Sequence, residues 1–132
     1  MDYYLLSPIK TLIPVSEKKY MEWIKEFGMH NQIAKDTVVI KTGYKSIIYT
    51  ISTIFLGIDH GLRLKHENND QPIVFETMVL DDENNEMFQW RYRDFAEAIA
   101  SHNKLTRHIQ TTGNIPNSID TIYDADEDAG II

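Results

Sequence analysis

Five polar side chains sit where chemistry is possible: Asp59, His60, Glu76, Arg91 and His102. Asp59-His60 closes a long apolar run, IIYTISTIFLGIDH (47–60), in the pattern of a metal-binding or proton-transfer pair at a strand end. Asp and His are also ordinary turn residues, and GIDHG matches no catalytic motif. Glu76 lies inside a second apolar run, PIVFETMVL (72–80). A carboxylate there is costly to bury unless it is paired. Its plain partner is Arg91 on the next strand. Its functional alternative is a ligand-facing acid and base on a polar sheet face, with Gln89 and Arg93 nearby and Arg91 clamping a phosphate or carboxylate. His102 falls on the apolar stripe of a helix, where a histidine is ordinarily a hydrogen-bonded core residue. Together His60, Glu76 and His102 have ligand types that suit a metal, although their spacing does not demand convergence. His30, His66 and His108 read as surface residues.

The elements that must position these groups follow from periodicity. Residues 1–15 carry Pro8 and Pro14 and read as an extended arm packing its Tyr and Leu side chains on the body. Ser16 is placed to N-cap a helix reaching Glu26 or Phe27, with Tyr20, Trp23, Ile24 and Phe27 on one stripe and Gly28 just past its end. Residues 33–42 read as a first strand and 44–58 as a second. The second has no wholly polar face, so an interior position with cover on both sides is expected. The segment 59–71 is a polar loop. Strands over 72–80 and 87–93 form a hairpin across DDENNE. Pairing Leu80 with Met87 sets Phe75 opposite Tyr92, Thr77 opposite Trp90, Val79 opposite Phe88, Glu76 opposite Arg91 and Met78 opposite Gln89. One face is then aromatic and aliphatic while the other carries the charge pair, and a one-residue slip loses this agreement. Asp94-Phe-Ala-Glu97 opens a last helix with Phe95, Ala98, Ile99, His102 and Leu105 inward, fading near Ile109.

The expected fold is therefore α+β: a four-stranded antiparallel meander sheet flanked by an N-terminal and a C-terminal helix, in the order α-β-β-β-β-α. Its 132 residues suffice for one domain, drawn at residues 1–112, with residues 113–132 as an acidic, flexible tail. The net charge of −7 argues against general nucleic-acid binding. After Arg107 there is no Lys or Arg, while Asp120, Asp124, Asp126, Glu127 and Asp128 supply most of that surplus, leaving a nearly neutral body. With no cysteine, disulfides and thiol chemistry are excluded. No apolar run is long enough for a membrane span, and the first residues lack the basic start of a signal peptide. Phosphate-loop, HExxH, nucleophile-elbow and RNA-binding aromatic signatures are all missing, so no cofactor is implied.

The blocks ISTIFLGIDH (51–60), FETMVL (75–80) and RYRDFAEAIASH (91–102) resemble a group of small phage and bacterial proteins to which no activity is assigned. That group shares STxFLGxDH, then FETM, then RY, then a helix of the form W-x-EA-x-x-GH. Ser52, Thr53, Phe55, Leu56, Gly57, Asp59 and His60 carry the first match, Phe75 to Met78 the second, and Arg91, Tyr92, Glu97, Ala98 and His102 the third. The likeness spans residues 47–105. Phe95 stands where the group often has Trp, Ser101 where it often has Gly, and residues 61–71 lack its Gly/Pro-rich stretch. The resemblance implies a phage or mobile-element origin, hence the cytoplasm of a host bacterium or a virion. Two functions of different class are then expected. One is a non-catalytic protein binding a macromolecular partner, itself or a host or virion protein, as a homo-oligomer. The other is a small-ligand or metal-binding protein or enzyme using Asp59, His60, Glu76, Arg91 and His102.

Overall fold

The computed structural model describes residues 2–27, 31–59 and 72–122. In chain order the elements are β1 (Asp2–Leu6), β2 (Leu12–Val15), α1 (Glu17–Phe27), β3 (Gln32–Thr42), β4 (Lys45–Phe55), β5 (Ile58–Asp59), β6 (Phe75–Leu80), β7 (Glu86–Tyr92) and α2 (Phe95–Thr112), followed by a 3-10 turn at Ile119–Thr121. Among the described residues the strands form two antiparallel sheets, β3-β4-β6-β7 and β2-β1-β5. The α+β class and the four-stranded antiparallel sheet agree with the sequence. The order α-β-β-β-β-α does not: two strands precede α1, and a further short strand leaves the meander for a second sheet.

Both corrections have local causes. Ser7 to Lys10 form a turn in which the Lys10 amide donates to the Ser7 carbonyl at 2.9 Å, with Pro8 at the position whose fixed φ suits it. Lys10 then takes φ +68°, and the hairpin closes with the Ser7 amide on the Thr11 carbonyl at 2.9 Å. Pro14 is tolerated because β2 is an edge strand, where a missing amide proton breaks no ladder. The run 44–58 is cut by Gly57 at φ +73°. The Leu56 amide donates to Val74 and the Tyr4 amide to the Gly57 carbonyl, each at 2.7 Å, so the chain passes there from one sheet to the other.

The Ser16 hydroxyl accepts the Lys19 amide at 3.1 Å and caps α1, while Gly28 lies outside the described residues. Asp94 caps α2 by accepting the Glu97 amide at 2.7 Å. The helix runs on past Ile109 to Thr112 because Gly113, at φ +71°, ends it with its amide on the Ile109 carbonyl. Buried Ala98, Ser101, His102, Leu105, Thr106 and Ile109 make one stripe.

That stripe covers the inner sheet face, where Ile51 pairs with Val79, Thr53 with Thr77, and Phe55 with Phe75. Each fully buried Phe, Leu or Ile there contributes about 1.5–3 kcal/mol. Ile119 and Ile122 join this core, so the packed structure continues beyond residue 112. The β6–β7 register is the expected one from Phe75↔Tyr92 to Val79↔Phe88. It then shifts, placing Leu80 opposite Glu86 rather than Met87, because β7 carries an extra residue there.

Candidate functional site

His102 projects from the buried stripe of α2 onto β3 and β4 and is fully enclosed. Its Nδ1 lies 2.7 Å from the Thr53 hydroxyl, and its Nε2 lies 2.7 Å from Oδ2 of Asp36. The Thr53 hydroxyl is 2.6 Å from that of Thr77, directly opposite on β6. A neutral ring satisfies every contact in one way: Nε2–H donates to Asp36, Nδ1 accepts from Thr53, and Thr53 accepts from Thr77. The polar chain thus runs from a half-exposed carboxylate on β3 into the centre of the core.

Carboxylate, imidazole and hydroxyl in this sequence resemble an acid-oriented base and nucleophile. The surroundings argue otherwise. Thr53 is 0% exposed and backed by Thr77, itself 0% exposed, so a substrate has no approach to the hydroxyl. The chain is a buried hydrogen-bond network that fixes α2 on the sheet. Next to it the buried Tyr92 phenol lies close to the Thr77 and Ser101 hydroxyls but meets neither in full hydrogen-bond geometry. Burial raises its pKa, the nearby Thr77 and Ser101 hydroxyls pull the other way, and Glu97 adds to the rise.

Glu76 and Arg91 occupy the other face of the sheet. Glu76 is nearly buried, and its Oε2 accepts from Arg91 Nε at 2.9 Å and from Gln89 Nε2 at 2.6 Å. This is the cross-strand pair the sequence indicates, with Gln89 as a third member. Because Ile54↔Glu76 and Thr53↔Thr77 are successive pairs of one ladder, Glu76 and His102 lie on opposite sides of the sheet. Asp59 is buried elsewhere, on β5, opposite Asp2. His60, His30 and His66 lie outside the described residues. His108 is half-buried on α2. The four described candidates, Asp59, Glu76, Arg91 and His102, therefore divide between two sheets and two faces rather than lining one pocket. Among the described residues no three His, Asp or Glu side chains gather as metal ligands, and no helix is long and apolar enough to cross a membrane.

Asp36, Thr53 and Thr77 were not legible as partners of His102. The available signal was parity: Thr53 and Thr77 occupy inward positions of apolar strands, where a hydroxyl needs a partner. No family model, curated protein or solved structure matches this chain.

Proposed function

We propose that this is a non-catalytic protein that binds a macromolecular partner through the outer face of its four-stranded sheet. The observation that carries the reading is the one-sided cover of that sheet. α2 packs its stripe on the inner face, and Trp23 of α1 meets Phe55 there as well. The outer face instead presents Val39 and Ile48, 50% and 38% exposed and paired with each other, beside half-buried Thr50, Ile54, Met78 and Leu80. Exposed apolar side chains on an uncovered sheet face suit a protein partner. Self-association by a two-fold is the simplest form of it. The sequence resemblance supports a phage setting, as a virion component or a host-directed factor in the bacterial cytoplasm.

The alternative, a ligand site or enzyme built on Asp59, His60, Glu76, Arg91 and His102, draws less support. Glu76 and Arg91 neutralise each other, and His102 faces the opposite side. Sedimentation velocity on the wild type and Ile48→Lys decides the leading reading. We expect a wild-type dimer and a monomeric, folded variant. A wild type that stays monomeric at high micromolar concentration removes self-association, and equal capture of a purified partner by both proteins removes the outer face.

A further inference from the structure

A separate feature lies on the opposite side of the sheet, where the N-terminal hairpin, α1 and the start of α2 meet. A cleft of about 250 Å³ opens there, walled by Leu6, Trp23, Ile33, Phe55 and Phe95. The Lys10 ammonium stands at its edge, 5.4 Å from the centre of the Phe95 ring. We propose that this cleft binds a small aromatic carboxylate, with the ring among Trp23, Phe55 and Phe95 and the carboxylate on Lys10 Nζ.

Three observations converge on that ligand class. The first is size: about 250 Å³ has room for one ring with a short acidic arm. The second is the wall. Trp23 and Phe95 are only half-buried, although Trp23 sits edge-on to Phe55 and Phe55 packs on Phe75 in the core. Trp23 and Phe95 thus offer aromatic surface to a planar guest beside a polar rim of Lys10, Asn31 and Gln32. The third is charge. Lys10 is the only cationic residue among the described residues lining the cleft, and it holds φ +68°, a conformation that glycine adopts more readily than lysine. The Ser7–Thr11 contacts, including a 2.7 Å hydroxyl pair, fix that turn beside the cleft. The carboxamides on the lining are each tied by one hydrogen bond and carry no charge. Asn31 Nδ2 already donates to the Phe55 carbonyl at 2.7 Å, and Gln32 Nε2 to the Ser52 hydroxyl at 2.8 Å. Lys10 is thus the one charged donor on the described lining, and the site is independent of the outer sheet face.

The test is a ¹H–¹⁵N NMR titration of the full chain with phenylacetate, neutral 2-phenylethanol and acetate. The two tryptophans give an internal control, since Trp23 lines the cleft and Trp90 stacks on Phe88 away from it. We expect phenylacetate to move the Trp23 indole signal saturably while the Trp90 signal stays still, with a Kd of about 1 mM or below for about ten heavy atoms. The alcohol is expected to bind about tenfold more weakly or worse. Lys10→Gln, at an exposed turn, should keep the spectrum of the fold and reduce phenylacetate to the level of the alcohol. The proposal is overturned by no saturable shift at Trp23, by equal binding of acid and alcohol, by acetate alone reproducing the shifts, or by Lys10→Gln binding phenylacetate as the wild type does.

Discussion

At the scale of single residues, the His102 network has a direct energetic consequence. Thr53→Val keeps the shape of the side chain and removes the hydroxyl shared by His102 and Thr77. Each stranded polar atom costs about 1–3 kcal/mol, so urea denaturation should show a loss of about 2–4 kcal/mol. A loss near zero would mean that the hydroxyl is not a real link. Glu76→Gln should lower stability by about 1–3 kcal/mol, since both Arg91 and Gln89 donate to one of its oxygens. A double-mutant cycle with Arg91→Gln should show coupling, and strict additivity would count against the pair. Alkaline pH tests Tyr92. Burial holds its phenol above the ordinary value of 10, and burial followed by Tyr3 does the same for Tyr20. The folded chain keeps these protons after the unfolded chain has lost them. Stability is therefore complete below pH 10 and declines as pH rises from there through the folded-state values. Tyr92→Phe should flatten that alkaline decline in stability-versus-pH measurements.

Among the elements, the glycines that break and cap them separate two costs. Gly43 has φ +63° and open space where a Cβ would stand, so Gly43→Ala should cost only the left-handed backbone, about 1–2 kcal/mol. At Gly57 a Cβ would meet Tyr20 Cε2 at 2.5 Å and the Tyr4 carbonyl at 3.0 Å. Gly57→Ala should therefore cost about 2–5 kcal/mol, overpacking added to backbone strain. Thermal unfolding of the two variants side by side checks the ordering. The same scale shows what the sequence could reveal. The β6–β7 register was legible because alternation and one charge pair admit a single alignment, as Glu76↔Arg91 confirms. The N-terminal hairpin was not, because Pro8 and Pro14 read as breakers in isolation. Only pairing shows that one sits in a turn and the other on an edge. The split of residues 44–58 was equally hidden, since strand propensity continues through Ile58 and the break lies in the handedness of Gly57.

For the molecule as a whole, the hairpin register set an aromatic face against one carrying the charge pair and so indicated the side the helices take, and α2 packs its stripe on that aromatic face. That side is set by contacts distant in sequence, such as His102 with Asp36 and Trp23 with Phe55. The candidate residues are scattered because parity separates Glu76 from His102, and Asp59 belongs to the other sheet. The packing of Ile119 and Ile122 against the core also has a meaning in time. β1 pairs with Ile58–Asp59, far along the chain, and the core is closed by residues beyond α2. Such distant pairings slow folding. During synthesis, Phe55, Phe75 and Phe88 are made long before the segment ending at Ile122 arrives to help enclose them. The nascent chain passes through an interval of open apolar strands, a state in which aggregation competes with folding.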